Sequence, residues 1–323
     1  MFHVRSGCVA VFATVFGAVA ALVVAVPTLA QPGPCQQLVD TFNKAVDGGR
    51  EAEAQAQVDK IATDAQCGRF QVPAQRRLSA FRLSAAQFLM ARGRPVTDYD
   101  RLLASAEKPR VLWQASATLA EVRFGERRFT EAARAFDRAI EIVKNETLTP
   151  TPPSKFEIEG LIDRAGQSRL LAVNIQPGQG TAAFVQTARN ERDGKLGGFY
   201  SESVRGVVPK ALPVPITFEY AKTDFTSVGE EAARELLNAV QEQRPARIVL
   251  VGHTDVRGAP ETNVKLSRAR AEAVATFLRE NGINVPVETV GKGATEPMRL
   301  TDTSGLTQDD IYALNRRVEW RRE

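Results

Sequence analysis

The chain has 323 residues, with 42 lysines and arginines against 38 aspartates and glutamates, and a formal net charge of +4. That length leaves room for two domains. No dense basic patch interleaved with aromatic residues occurs, which argues against nucleic-acid binding, and the 2 histidines are too few for a histidine-rich metal site.

Residues 1–30 have the features of an export signal. Arg5 supplies a positive start, residues 9–26 are almost wholly apolar, and the small residues before Gln31 form a plausible cleavage site. The apolar run is also long enough for an uncleaved inner-membrane anchor, which stays open as the alternative. Either way, the rest of the chain is expected in the periplasm. No series of alternating ten-residue segments occurs, so no membrane β-barrel is predicted.

Residues 31–172 are predicted to form an all-α domain that begins with a disulfide-linked helical hairpin. Two helical patterns are separated by a glycine pair at 48–49. Cys35 and Cys67 lie at the outer ends of these patterns, and antiparallel helices bring such ends together. A disulfide between the two is the natural interpretation in an oxidising compartment. Two buried free thiols are the alternative.

A later part of this domain has tetratricopeptide-like spacing of apolar and small residues. The positions are Leu119, Ala120, Phe129, Ala132, Phe136 and Ala139. One such unit cannot bury its face alone, so the helical patterns over 75–93 and 156–174 are expected to pack beside it. A stack of this kind presents a concave surface to a protein partner, whereas a plain helical spacer is the alternative. Residues 173–213, rich in glycine and proline, are predicted to be a linker or a small strand pair.

The most informative segment is 248–270, in which a strand, a polar loop and a helix follow one another. Residues 248–251 are a continuous apolar run, typical of a strand covered on both faces. The following loop is rich in turn residues. A helix is expected over 263–281, because Gly282 supplies a C-terminal stop.

The face of this helix predicts a functional arginine. At about 100° per residue, Asn263, Ser267 and Arg270 fall inside the apolar stripe of the helix. A buried arginine needs a partner, so Arg270 is predicted either to form a structural ion pair with Asp255 or to face a ligand. In the second case, Arg270 would take a carboxylate and Asp255 an ammonium. Asp255 follows the strand, where ligands bind in open α/β sheets.

Four ordered motifs closely resemble the OmpA-like C-terminal domain shared by OmpA, Pal and flagellar stator proteins. They are GHTD over 252–255, N-x-x-L-S-x-x-R-A over 263–271, G-x-G over 291–293 and N-R-R-V-E over 315–319. The resemblance covers roughly residues 213–323. It implies an α+β domain over 214–323 with a mixed sheet in the order β-α-β-α-β-β. Strands are expected near 215–220, 247–253, 287–291 and 317–322, with helices near 227–243 and 263–281.

The resemblance also implies a function, the non-covalent binding of peptidoglycan through the diaminopimelate of its stem peptide. In that family the GHTD aspartate and the R-A arginine grip the zwitterionic end of diaminopimelate, and by position these are Asp255 and Arg270. Asn263 and Arg316 match two further residues of the family site. Strand alternation independently places Arg316 on the face of Val318 and Trp320. The chain departs from many relatives at Ala221, where they carry a polar residue.

The expected protein is therefore a periplasmic, cell-wall-associated protein at the outer membrane. No catalytic, nucleotide or metal motif occurs, so neither an enzyme nor a cofactor is predicted. The sole histidine after the leader, His253, is expected to pack under the loop or to hydrogen-bond to it. The alternative function is a periplasmic interaction scaffold that acts through its tetratricopeptide-like helices and carries a degenerate OmpA-like domain.

Overall fold

The computed structural model describes residues 33–175, 186–190, 193–300 and 302–322. The predicted export signal at 1–30 lies outside these residues. Among the helices that are described, none is both long and apolar enough to cross a membrane.

The N-terminal region is all α, as predicted. Its helices are α1 (Pro34–Asp47), α2 (Glu51–Thr63), α3 (Gly68–Ala91), α4 (Val96–Glu107), α5 (Trp113–Gly125), α6 (Phe129–Lys144) and α7 (Lys155–Ile175). The predicted hairpin of α1 and α2 turns at Gly49, which has a positive φ of 69° that suits glycine. The predicted disulfide between Cys35 and Cys67 is confirmed, with a Cα–Cα distance of 5.4 Å. The likeness of α5 and α6 to a tetratricopeptide repeat stays a prediction.

The C-terminal region is an α+β domain around a mixed four-stranded sheet, as predicted. Its elements are β1 (Ala211–Val214), α8 (Ser227–Gln243), β2 (Ile248–His253), α9 (Pro260–Glu280), β3 (Val287–Gly293), α10 (Gln308–Asn315) and β4 (Val318–Arg321). The strand order is β1-β4-β2-β3. Strands β2 and β3 run parallel, whereas β4 is antiparallel to both of its neighbours.

The predicted first strand at 215–220 is wrong. The strand lies at Ala211–Val214, across the end of the segment that was expected to be a linker or strand pair, and it pairs with β4. The apolar residues that follow fold back on themselves instead, because Phe218 bridges Phe225 and the Thr226 amide donates to the Thr217 carbonyl at 3.1 Å. Pro213 is compatible with β1 because β1 is an edge strand.

The predicted element order β-α-β-α-β-β also lacked a helix, α10. This helix begins with a capping box, in which the Thr307 hydroxyl accepts from the Asp310 amide and the Asp310 carboxylate accepts from the Thr307 amide. Its end leads directly into β4. The site residue Arg316 therefore lies in a helix-to-strand turn and not within the last strand.

Two glycines of the sequence motifs bring α9 close to the sheet. A Cβ atom at Gly252 would lie 1.9 Å from the Ser267 carbonyl oxygen, and one at Gly291 would lie 2.5 Å from that of Val264. The Ser267 hydroxyl also accepts from the Gly293 amide at 2.9 Å. The motif residues thus fix α9 against β2 and β3, and with it the side chains at its N-terminal end.

The helical region and the sheet domain share one hydrophobic core. It joins α5, α6 and α7 to the segment after α7 and to the sheet domain, through buried residues such as Phe136, Tyr200, Leu236 and Trp320. Arg127, between α5 and α6, donates two hydrogen bonds to Asp310 of α10 at 2.6 and 2.8 Å. Helices α1 to α4 bury their apolar faces in two smaller clusters. The sheet domain is therefore packed against α5–α7 instead of being tethered to them by a free linker.

Candidate functional site

Asp255 is the centre of a polar cluster just beyond β2. Its residue exposure is only 6%. One carboxylate oxygen, Oδ1, accepts from the Arg257 amide at 3.0 Å and from Arg257 Nε at 3.2 Å. The other oxygen accepts from Arg257 Nη2 at 2.7 Å and Arg316 Nη1 at 2.9 Å. Four hydrogen bonds are therefore donated to the carboxylate.

These contacts keep Asp255 ionised. Burial raises the pKa of this carboxyl group, but hydrogen bonds from Arg257 and Arg316 outweigh burial and hold the pKa at about 2. The site thus presents a permanent negative charge at neutral pH.

Arg270 lies near this carboxylate without pairing to it. Its Nε donates to the Lys222 carbonyl oxygen at 3.2 Å, and its guanidinium carbon lies 5.0 Å from the centre of the Phe218 ring. Within the described part of the chain, Arg270 makes no ion pair, so the predicted structural ion pair of Arg270 with Asp255 is wrong. Burial and the positive charge of Arg316 both lower the pKa of Arg270. A partly buried cation without a carboxylate partner is thus available to a ligand.

Asn263 holds the loop that carries Asp255. Its amide nitrogen donates to the carbonyl oxygens of Asp255 at 3.3 Å and Arg257 at 3.0 Å. This contact follows from the N-terminal position of Asn263 on α9, which faces the 254–259 loop. In the unliganded protein, the Asn263 side chain positions the loop backbone.

Arg257 was not among the residues predicted for the site. It contacts Asp255 through side chain and backbone, and its guanidinium also lies over the Tyr312 ring at 4.8 Å. Its side chain is 60% exposed. The D-x-R spacing was the available signal, because a residue two positions after an aspartate in a turn readily donates its amide to that carboxylate.

The segment that contains Ala221 forms one wall beside Arg270. Ala221 itself is exposed and has a positive φ of 55°, a conformation that costs an alanine backbone energy. The neighbouring Tyr220 is 94% exposed. Lys222 contributes its backbone carbonyl to Arg270. The departure from the family at Ala221 therefore leaves a wall built from backbone and aromatic groups.

His253 is buried beneath the loop, on the opposite side of β2 from α9. Its Nε2 lies 3.4 Å from Oε2 of Glu319 on β4. Burial is the main cause that lowers the pKa of His253, so the ring is neutral at pH 7. The prediction that this histidine packs under the loop or hydrogen-bonds to it stays a prediction.

Comparisons with known proteins point to one family. The sequence profile of the OmpA family matches residues 217–308. The peptidoglycan-associated lipoprotein of Pseudomonas putida is 30% identical over 148 residues, which cover 45% of this chain and 82% of that protein. Outer membrane protein A of Serratia odorifera is 31% identical over 118 residues, covering 33% of this chain and 48% of that protein.

Two further matches are a photosystem protein and a solved structure. The photosystem I P700 chlorophyll a apoprotein A2 of Gloeobacter violaceus is 32% identical over 143 residues, 43% of this chain but only 16% of that protein. The chain thus spans less than half of this photosystem protein and of outer membrane protein A, but 82% of the Pseudomonas putida lipoprotein. The solved peptidoglycan-associated lipoprotein of Burkholderia pseudomallei is 22% identical, with a TM-score of 0.28 over 35% of this chain and 89% of that one.

Proposed function

The chain belongs to the OmpA family, and we propose that its C-terminal domain binds peptidoglycan non-covalently. The protein would thereby anchor the cell envelope, or a partner held by its helical region, to the wall from the periplasm. One observation carries this proposal: an ionised Asp255 after β2 interacts electrostatically with Arg270 of α9, which has no carboxylate partner among the described residues. The name of the relative from Pseudomonas putida, a peptidoglycan-associated lipoprotein, supports the same function.

The ligand that fits these charges is a zwitterion, and we propose the diaminopimelate of the stem peptide. Its ammonium group would bind Asp255, and its carboxylate would bind Arg270 as a charge-assisted, bidentate pair. Arg316, which already contacts Asp255, would stabilise a second carboxylate or a nearby carbonyl. Asn263 would keep the loop in place while the ligand binds.

An incoming ammonium must replace one of the four donors on Asp255. Arg257 is the donor most easily displaced, because its side chain is 60% exposed and that of Arg316 is 33% exposed. Exposed ion pairs contribute little free energy. The unliganded Arg257 would therefore cover the carboxylate and move away when the ligand binds. The function is one of binding, without catalysis.

The test is co-sedimentation of purified residues 31–323 with isolated sacculi. Arg270→Ala should abolish most of the sedimentation, because the ligand carboxylate loses its cation. Arg268→Ala is the matched control, since Arg268 is exposed on the same helix and its loss changes the net charge equally. Equal sedimentation of the wild type and Arg270→Ala, with unchanged circular dichroism, would refute this site.

A groove on the helical region supports a second function, the capture of a protein partner. The groove has a volume of about 960 Å³ and is lined by polar and apolar residues of α3, α6, the 109–111 and 145–148 loops and the 188–190 segment, among them Gln75, Arg138 and Arg189. Deletion of 31–172 would remove half of the shared core, so it cannot test this function. Affinity capture with Arg270→Ala tests it instead. If the helices act as a scaffold, the variant should capture the same protein partners as the wild type. If the protein only anchors to the wall, the variant should lose them.

A further inference from the structure

A second cleft lies between α7 and the face of the sheet that points away from α9. This junction cleft has a volume of about 780 Å³, within the range of small-molecule sites. Its walls are Asp163 and Gln167 of α7, residues 210–213, the 296–299 loop, and Arg317, Glu319 and Arg321 of the β4 segment. None of the residues proposed to bind the wall lines it.

The two sites lie on opposite faces of the sheet. Gly252 faces α9, since an added Cβ would meet the backbone of Ser267. Val318 and Trp320 lie in the core on that same side. Side chains alternate along a strand, so Arg317 and Glu319 point to the other face, toward α7. The junction cleft therefore exists only because the helical region is docked on the sheet.

The carboxylates on the sheet side of this cleft are already paired with cations of the same domain. Glu319 Oε1 accepts from Arg317 Nε and Nη2 at 2.9 and 2.6 Å, and its Oε2 accepts from Arg321 at 3.0 and 3.1 Å. Glu296 pairs with Arg321 at 2.6 Å and with Lys292 at 2.8 Å. Each carboxylate oxygen on this wall therefore already accepts from at least one cationic donor.

One buried donor nevertheless lacks an acceptor. Among the residues that the structure describes, Arg317 Nη1 has no hydrogen-bond partner, although the side chain is only 4% exposed. A buried guanidinium N–H without an acceptor is unfavourable and rare in native proteins. At the mouth of the cleft, Lys210 and Arg299 are exposed and form no ion pair with any described residue. The Asp163 carboxylate lines the α7 side of the cleft, so the lining carries four cationic side chains against three carboxylates, an excess of one positive charge.

We propose that the junction cleft binds a ligand through a carboxylate group. The carboxylate would lie against Arg317, between Lys210 and Arg299, and would supply the missing acceptor. A volume of about 780 Å³ is much larger than a carboxylate, so the rest of the ligand would contact Gln167 and Met298. Either a small carboxylic acid or the free carboxyl terminus of a peptide has this chemistry. The site is independent of peptidoglycan binding.

The experiment is a titration of isotope-labelled residues 31–323, followed by the amide resonances of Gln167, Arg299 and Arg317. The probes are sodium acetate, acetyl-dialanine with a free carboxyl terminus, and acetyl-dialanine amide, each against sodium chloride of equal ionic strength. Saturable shifts with acetate and the free acid, and none with the amide, are expected. Tighter binding of acetyl-dialanine than of acetate would identify a peptide terminus, and equal binding a small acid.

Matched variants separate this site from a general charge effect. The double variant Lys210→Gln and Arg299→Gln should weaken binding of the free acid by about tenfold or more, since two cations are lost. Lys265→Gln with Arg268→Gln removes the same charge from exposed positions on α9 and should bind like the wild type. Both rim residues are exposed, so the Arg317–Glu319 pair and the fold stay intact.

Three outcomes would overturn the proposal. The first is equal chemical shifts with acetyl-dialanine and its amide. The second is equal affinity of the rim double variant and the wild type for the free acid. The third is the same shifts with chloride, which would mean an adventitious ion only. Sacculus sedimentation of the rim double variant should equal that of the wild type. A failure of the proposed wall binding and a failure of the proposed carboxylate binding in the junction cleft are therefore observed in different assays.

Discussion

At the scale of single residues, the site depends on how much charge is concentrated around Asp255. Two arginines contact this carboxylate, and a third, Arg270, lies nearby with only a carbonyl and an aromatic ring as partners. The cluster thus has three positive charges around one negative charge, which suits it to receive a further carboxylate. This imbalance is what makes the cluster a candidate binding site rather than a structural ion-pair network.

Asp255→Asn is expected to reduce sacculus binding by about tenfold or more, because the ligand ammonium loses a charge-assisted hydrogen bond. The side chain keeps its shape, so the fold should persist. Binding isotherms from sedimentation at increasing sacculus concentration would measure the loss. An unchanged isotherm would mean that Asp255 does not contact the ligand.

Arg257→Ala is expected to leave sacculus binding intact or to strengthen it. The substitution removes the exposed donor that competes with the ligand ammonium, while Arg316 still orients the carboxylate. The same sedimentation assay applies, with Arg268→Ala as the charge-matched control. A loss as large as that of Asp255→Asn would show that Arg257 itself contacts the ligand.

Asp255 should also make the free energy of unfolding depend on pH in the acidic range. Its pKa of about 2 in the folded state lies below the ordinary value of 3.8, so its contribution is fully present above 3.8 and is lost as the pH falls toward 2. That contribution is at most about 2 kcal/mol. Urea unfolding at pH 7 and at pH values between about 4 and about 2 should show the loss in the wild type and a smaller loss in Asp255→Asn. Equal losses would exclude a low pKa at this position.

At the scale of elements, the close contact of α9 with β2 and β3 positions the site. Asn263 and Arg270 both project from α9, and Asp255 follows β2. The distance between these side chains is therefore set by how closely helix and strands approach. Glycine at positions 252 and 291 permits that approach.

Gly252→Ala is expected to lower the free energy of unfolding by about 3 kcal/mol or more, because the new methyl group would overlap a backbone carbonyl that cannot move alone. Gly160→Ala is the matched control. It lies within α7, its added Cβ would meet nothing within 4 Å, and alanine should stabilise the helix by about 0.5–1 kcal/mol. Urea denaturation of both variants would measure these changes; a neutral Gly252→Ala would contradict the packing described for α9.

At the scale of the whole molecule, the shared core makes the helical region and the sheet domain one unit. The buried aromatic side chains of α6 and of the segment after α7 pack into the same cluster as Trp320. The ion pair of Arg127 with the buried Asp310 adds a polar contact across the junction. Any partner bound by the helices would therefore be held in a defined orientation relative to the wall.

The two tryptophans of the chain allow a test of this unity. Trp113 lies on α5 and Trp320 on β4. In Trp320→Phe the fluorescence comes from Trp113 and reports on the helices, and in Trp113→Phe it comes from Trp320 and reports on the sheet. In each variant, the fluorescence and circular dichroism transitions in urea should coincide, as a cooperative unit requires. Separate midpoints for fluorescence and circular dichroism within one variant would show that the two regions unfold independently.

Local patterns in the sequence were sufficient for most of the elements, although not for β1 and α10. The bounds predicted for α8, 227–243, are those observed, and the hairpin joined by Cys35 and Cys67 is present. Periodicity, caps and turn residues act over a few positions, so they can be recognised without the fold. The motif likewise placed Asp255 and Arg270 near each other.

Tertiary structure decided the remaining features, because they depend on contacts between distant parts of the chain. Arg316 contacts Asp255 across 61 positions, and Arg127 contacts Asp310 across 183. Strand β1 could not be distinguished from the apolar residues after it, since its identity depends on pairing with β4 at the other end of the domain. The sharing of one hydrophobic core by both regions is likewise a property of the folded chain. An apolar pattern shows that a face is buried but not which other element covers it.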